Sequence, residues 1–139
     1  MKFLRTLKAL MLLTPFRIVG YGFLLWLAPF AVSCAAFPLR QAMPPLFESI
    51  MAVTVTLCVT VLAVRHFRRL NERFVMEGVN AGITWVVMSI ALDIPIFLGP
   101  IGMSAGQYFA DVALTYLIYP VVTIGMGLCL KSRTSQRPV

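Results

Sequence analysis

The stretch RHFRRLNER, residues 65–73, decides the fold, because it places four arginines between two long apolar segments. Before it runs LFESIMAVTVTLCVTVLAV, residues 46–64, and after it runs VNAGITWVVMSIALDIPIFL, residues 79–98. A helix needs about 20 mostly apolar residues to cross the hydrocarbon core of a bilayer, and both segments meet that length. The pattern therefore predicts two membrane spans joined by a short basic connector.

Two further apolar segments, at about residues 18–37 and 107–130, have the same character. The chain as a whole is 60% hydrophobic and 12% charged, with a mean hydropathy of +0.89, whereas soluble domains carry about a quarter charged residues. Four spans use nearly all of the 139 residues and leave no room for a soluble domain. We therefore predict a single all-α integral membrane domain, an antiparallel four-helix transmembrane bundle.

The distribution of basic residues predicts the orientation of this bundle. Only Arg40, of the 12 lysines and arginines, follows span one or span three. Basic residues in short loops mark the cytoplasmic side, so both termini and the 65–73 connector are expected in the cytoplasm, in a bacterial or archaeal inner membrane. The remaining basic residues form three clusters: Lys2, Arg5, Lys8 and Arg17; Arg65, Arg68, Arg69 and Arg73; and Lys131, Arg133 and Arg137.

The ends of the chain are expected to lie outside the bilayer core. Residues 1–15 have basic residues near helical spacing with apolar residues on the other side, which predicts a short amphipathic interfacial helix that Pro15 separates from span one. Residues 131–139 are expected to form a cytoplasmic tail. An alternative start is a cleaved leader, because Ala31, Val32, Ser33 and Cys34 resemble a bacterial lipobox; otherwise Cys34 is expected to be an ordinary buried thiol.

No complete catalytic, metal or cofactor motif is present in the sequence. The three cysteines are isolated from one another, and the one histidine, His66, lies in the basic connector and is expected to be interfacial. The net charge of +7 could suggest nucleic acid, but these cations flank spans. We expect them to bind anionic lipid headgroups, with no nucleic-acid partner, no cofactor, no metal and no catalytic residue.

Asp93 is the first candidate for a functional residue, because a carboxylate inside a bilayer costs about 2.5 to 3.5 kcal/mol at mid-span. Gly82, Ser89 and Asp93 share one helical stripe, which is expected to pack against protein. Pro95 lies two residues further on and is expected to kink the helix and free the Ala91 carbonyl. This group of polar atoms predicts either a cation or water site or a carboxylate that fixes packing by accepting hydrogen bonds from a neighbouring Tyr or Thr.

Span four carries a second acidic residue, Asp111, at a similar depth to Asp93. Ser104 and Gln107 resemble a capping box at its start. Two carboxyl groups brought together by antiparallel helices could exchange a proton, so we predict Asp93 and Asp111 as a paired site. The candidate intramembrane polar site on these two helices comprises Asp93, Asp111, Ser89, Tyr108, Thr115 and Tyr119.

Four other polar or helix-bending residues are predicted to be structural. Glu48 follows two prolines at the start of span two, where an acid complements the helix dipole, and Arg40 is expected to pair with Glu48 or with Asp111. Pro95 bends span three. Asn80 lies opposite the Asp93 stripe, so span three is expected to be central or at an oligomer contact.

Two classes of function remain open from the sequence. The first is a non-catalytic accessory, assembly or interaction subunit, which forms a homo-oligomer or binds a partner membrane protein. The second is a small transporter or channel, coupled to protons or cations, that uses Asp93 and Asp111. An intramembrane enzyme is disfavoured, because no pair of nucleophile and base can be named.

Overall fold

The computed structural model describes residues 2–135, with side chains from Pro15 onward. All regular structure within residues 2–135 is helical, and no strand occurs there. Six α-helices follow in order, with one 3-10 helix before the last: α1 (Lys2–Ala35), α2 (Phe37–Ala42), α3 (Pro44–Phe67), α4 (Phe74–Phe97), α5 (Ala105–Asp111), the 3-10 helix (Ala113–Leu117) and α6 (Ile118–Ser135).

Four segments in the described part of the chain are long and apolar enough to cross a membrane. They are Pro15–Ala35, Pro44–Phe67, Phe74–Phe97 and Ala113–Ser135. The prediction of a multi-pass helical membrane protein is confirmed at this level. The first three spans lie within a few residues of their predicted bounds, and the basic connector separates the second from the third.

The predicted break at Pro15 is wrong, because α1 continues through both Pro15 and Pro29. A proline inside a helix removes one backbone hydrogen bond, and a long helix can absorb that loss with a bend. The amphipathic side chains predicted for the first 14 residues lie outside the described side chains.

Span four differs from the continuous helix predicted over residues 107–130. The chain leaves helical geometry at Val112, with φ −124° and ψ −60°, and passes through the 3-10 helix before α6 begins at Ile118. Pro120 accounts for where α6 begins, because a proline is tolerated in the first turn of an α-helix but not in its interior. Asp111 therefore ends a short helix before the span and does not lie in a continuous spanning helix.

Each spanning helix packs against two others: α4 against α1 and α6, and α3 against α1 and α6. The α4 and α6 backbones approach closely at glycines. A side chain at Gly82 would place its Cβ 2.7 Å from Pro120 Cα, and one at Gly127 would place it 2.6 Å from the Phe74 carbonyl oxygen. Small residues allow this approach, as is common where membrane helices pack.

Aromatic and branched side chains fill the interior of the bundle. The outer faces of the helices carry exposed apolar side chains. Leu25, Val59, Trp85 and Tyr119 are fully buried. Large apolar side chains such as Val53, Val87 and Val121 remain exposed. An apolar exterior around a packed interior is what a lipid environment requires, in agreement with an integral membrane protein.

Candidate functional site

Asp93 lies in the last two turns of α4 and is only 1% exposed. Gly82 and Ser89, on the same helical stripe, are buried with it. The stripe that was predicted to pack against protein therefore lies on the interior face of α4. A carboxyl group so placed loses its water and needs hydrogen-bond donors from the protein instead.

Three aromatic side chains from three different elements donate hydrogen bonds to Asp93. Trp26 of α1 donates through Nε1 to Oδ1, at 2.7 Å. Tyr108 of α5 and Tyr116 of the 3-10 helix donate through their hydroxyls to Oδ2, at 2.9 and 2.5 Å. Both carboxyl oxygens are thus engaged, and one side chain joins span one, span three and the entrance to span four.

The donor from α1 is held by further aromatic packing. The Trp26 ring stacks on Phe30, with ring centroids 5.0 Å apart. Asp93, the hydrogen-bond partner of Trp26, is 67 positions away along the chain. No local sequence signal could have paired them. Of the predicted partner types, the described side chains supply tyrosine and no threonine.

The donor from α5 depends on the capping box at the start of that helix. The Ser104 hydroxyl accepts from the Gln107 backbone nitrogen, and the Gln107 side chain accepts from the Ser104 nitrogen. The predicted capping box is confirmed. Tyr108 follows directly and lies before the span that begins at Ala113. Its burial, and secondly the charge of Asp93, raise the pKa of the Tyr108 hydroxyl, which favours its role as a donor.

Two further buried hydroxyls lie in the same interior. Ser89 and Tyr119 are both fully buried, and their hydroxyls approach each other, but neither forms a hydrogen bond of normal geometry with a described residue. The Tyr119 ring lies 5.3 Å from that of Tyr116, centroid to centroid. Buried hydroxyls without partners are uncommon and destabilising, so these two atoms require an explanation from function or from bound water.

Asp111 lies in a different environment from Asp93. It is exposed at the end of α5, and its carboxylate pairs with Arg40 of α2 at 3.6 Å. The hydrogen bonds that Asp93 accepts within the described chain come from Trp26, Tyr108 and Tyr116, so Asp111 does not share them. Of the two partners expected for Arg40, the structure selects Asp111, and the Arg40 guanidinium also lies over the Phe47 ring.

The hydrogen bonds that Asp93 accepts within the described chain do not come from the remaining predicted residues. Thr115 is half-buried in the 3-10 helix, and Glu48 is exposed on the first turns of α3. Pro95 is within α4, which continues two residues beyond it, and is exposed. Asn80 is exposed on the outer side of α4. The other described helices do not cover this face of α4, so it does not lie at the centre of the bundle.

A second polar cluster, which the sequence did not indicate, lies near the other end of the bundle. His66 is fully buried, and its Nε2 is 3.6 Å from a carboxylate oxygen of Glu77. The imidazole packs against the edges of Phe67 and Trp85. Within the described residues, both imidazole nitrogens and the Arg17 Nε atom have no hydrogen-bond partner. Glu77, in the first turn of α4, is thus the acidic neighbour of His66.

The two clusters are connected through the contact between α1 and α4. Trp85 donates from Nε1 to the Ile18 carbonyl at 2.9 Å, and Trp26 donates to Asp93 eight residues further along both helices.

The cysteines do not form a site. Cys34 and Cys129 are exposed, and Cys58 is half-buried. The prediction that Cys34 is a buried thiol is therefore wrong. Among the described residues, no three His, Cys, Asp or Glu side chains are close enough together to hold a metal ion.

No protein family matches the chain, and comparison with curated proteins and with solved structures gives no match.

Proposed function

We propose that the protein is a non-catalytic membrane subunit, which assembles with itself or with a partner membrane protein and whose interior carboxyl group serves to hold its helices in place. One observation carries this proposal: Asp93 is buried and accepts hydrogen bonds from three separate elements. A carboxyl group whose acceptors are already used by fixed side chains is suited to locking a packing arrangement.

The proposal includes an antiparallel bundle with both termini in the cytoplasm. Trp85 bonds to Ile18 and Asp93 to Trp26, which supports α1 and α4 running in the same direction. The approach of Gly127 to Phe74 and of Gly82 to Pro120 supports α4 and α6 running in opposite directions. Basic residues at the ends of the spans favour a cytoplasmic connector, with residues 1–15 along the inner interface of a bacterial or archaeal membrane.

The exposed side of α4 is the surface we assign to assembly. Asn80 and Ile83 are exposed there, and an amide on a lipid-facing helix surface is costly unless another protein surface satisfies it. A second copy of the chain or another membrane protein would supply that partner. We therefore keep the prediction that span three lies at an oligomer contact, and place that contact on the exposed side of α4.

The variant Asp93→Asn tests the proposal, with Asp111→Asn as a matched control at an exposed aspartate. We expect Asp93→Asn to lower the thermal stability of the purified protein and to weaken its assembly, because an amide nitrogen cannot accept from tyrosine. Asp111→Asn should leave both unchanged within error. The measurements are thermal unfolding in detergent and the mass of the complex by light scattering.

A second candidate function is a small proton- or cation-coupled transporter or channel. The unpartnered hydroxyls of Ser89 and Tyr119 favour it, because such groups could hold water or an ion beside Asp93. Proteoliposomes distinguish the two. If Asp93→Asn keeps its assembly but loses a proton- or cation-dependent flux that the unaltered protein shows, transport replaces the structural proposal. With Asp111 exposed and paired to Arg40, that flux would depend on Asp93 more than on Asp111.

A further inference from the structure

A groove lies at the surface of the bundle along α6, from Val121 to Arg133, and the last turn of α3 with Arg68 forms its other wall near one end. Its volume is about 570 Å³, and its walls are mainly apolar, including Val64, Val121, Val122 and Met126. Val121 is 71% exposed, so the groove opens toward the surroundings of the helices. In a membrane-spanning bundle these surroundings are lipid, and the volume is within the range of sites that bind small molecules.

One end of the groove is basic. Arg68, which follows the last residue of α3, and Arg133, in the last turn of α6, both line it and are both exposed. Within residues 15–135 neither guanidinium forms a salt bridge with an acidic side chain. Both arginines lie at the ends of spans, where lipid headgroups meet water, and guanidinium groups bind phosphate through paired hydrogen bonds.

The depth of the groove matches one leaflet of a bilayer. Along α6 it extends from Val121 to Arg133, which at about 1.5 Å per residue corresponds to about 18 Å. Half of a hydrocarbon core about 30 Å thick is about 15 Å. An acyl chain lying in the groove would therefore reach the bilayer centre while its headgroup stayed beside the arginines.

We infer that this groove is a binding site for a single phospholipid with a net negative headgroup, such as phosphatidylglycerol. Arg68 and Arg133 bind the phosphate, and the apolar walls between α3 and α6 hold one acyl chain. The charge of the two arginines selects an anionic lipid over a zwitterionic one. This site is separate from Asp93 and its donors, and the inference does not depend on the proposed function.

The structure offers a direct way to block the groove. Gly125 lines it, and a Cβ placed there would meet nothing within 4 Å. Gly125→Leu would therefore fill the groove without disturbing the packing between helices. Gly20, in α1, is equally open and does not line this groove, so Gly20→Leu is the matched control.

The experiment is native mass spectrometry of the full chain in detergent, titrated with phosphatidylglycerol or with phosphatidylcholine. We expect one tightly bound phosphatidylglycerol per chain, which Gly125→Leu abolishes and Gly20→Leu retains. Arg68→Gln and Arg133→Gln should each weaken its binding about fivefold, which corresponds to about 1 kcal/mol for a basic residue at a membrane surface. Arg65→Gln, at a nearby exposed arginine outside the groove, should change it less than twofold.

Three results would overturn the assignment. Equal affinity for the two lipids would show that the arginines do not select charge. An equal loss of phosphatidylglycerol binding in Arg65→Gln would show a diffuse electrostatic attraction between the lipid and the basic residues, and not binding at one site. If Gly125→Leu dissociated an oligomer in the same spectra and left lipid binding intact, the groove would be an interface between copies of the chain.

Discussion

At the scale of single residues, Tyr116 and Tyr119 show how two neighbouring side chains of the same type can have opposite energetic roles. Their rings are in contact and both are buried. The Tyr116 hydroxyl donates to Asp93, whereas within the described chain the Tyr119 hydroxyl has no partner. Burial of a hydroxyl is favourable overall only when its hydrogen bond is made.

Replacing each tyrosine by phenylalanine should therefore change stability in different directions. Tyr116→Phe removes a donor to a buried carboxyl group and is expected to lower the free energy of unfolding by about 1.5 to 3 kcal/mol. Tyr119→Phe removes an unpartnered hydroxyl and should leave that free energy unchanged or raise it by up to about 1 kcal/mol. Unfolding by SDS titration in mixed micelles measures both. A loss as large in Tyr119→Phe would show that bound water or an ion satisfies its hydroxyl.

Some of the residues around Asp93 could be identified from the sequence, and others could not. Asp93 could be selected from the sequence because the cost of an acid in a bilayer singles it out. The hydrogen bond from Trp26 to Asp93 and the burial of His66 could not be predicted in this way, because both depend on contacts between helices that are distant in the chain. The environment of Asp111 differs from the prediction for a local reason: the helix ends at Asp111, so that residue lies before the span, exposed and paired with Arg40.

At the scale of elements, the entrance to span four is the most irregular part of the fold. A short helix, a 3-10 turn and a new α-helix follow one another within residues 105–118, and the first two each provide a tyrosine to Asp93. A continuous helix would place Tyr108 and Tyr116, eight residues apart, about 12 Å from each other along its axis. The chain instead breaks at Val112, between the two tyrosines, and both hydroxyls reach one carboxyl oxygen.

The capping box of α5 should be important for this arrangement. Ser104→Ala removes the side-chain acceptor for the Gln107 nitrogen and is expected to cost about 1 kcal/mol. Because α5 is short, the loss should appear as faster hydrogen exchange of the amides of residues 107–111. Ser49→Ala, at an exposed serine bonded to its own helix at Pro45, is the control and should not change exchange at α5.

The glycines of α6 provide a second prediction for an element. Gly127→Ala would place a methyl group 2.6 Å from the Phe74 carbonyl oxygen and should destabilise the α4–α6 contact by about 1 to 3 kcal/mol. Gly125→Ala, two residues earlier and in open space, should instead stabilise the helix by up to about 1 kcal/mol. Thermal unfolding of both proteins tests this. Equal effects would contradict the close packing of the two helices.

At the scale of the whole molecule, hydropathy and charge were sufficient to predict the spans but not their detailed form. The basic connector and the apolar runs locate four spanning helices, because length and polarity are set by the bilayer itself. Whether a proline ends a helix, as expected at Pro15, or lies within it depends on local packing. The same limit applies to the groove between α3 and α6, which only the packed helices create.

The orientation of the molecule is a prediction that reporter fusions can test. We expect fusions ending within residues 99–106 to be active with a periplasmic reporter and inactive with a cytoplasmic one. Fusions within residues 68–73 or after residue 135 should give the reverse, because basic residues are retained on the cytoplasmic side. Cytoplasmic activity at residues 99–106 would invert the topology. It would also move the arginine end of the lipid groove to the outer leaflet.

The three donors to Asp93 also impose an order on biosynthesis. Trp26 leaves the ribosome before Asp93, whereas Tyr108 and Tyr116 leave it afterwards. A nascent chain inserted only through α4 therefore has a single donor for an acid already within the lipid. The other two donors are added only with α5 and the 3-10 helix. We therefore expect a chain truncated near residue 104 to be a substrate of quality-control proteases, and the full-length chain to be a poor one.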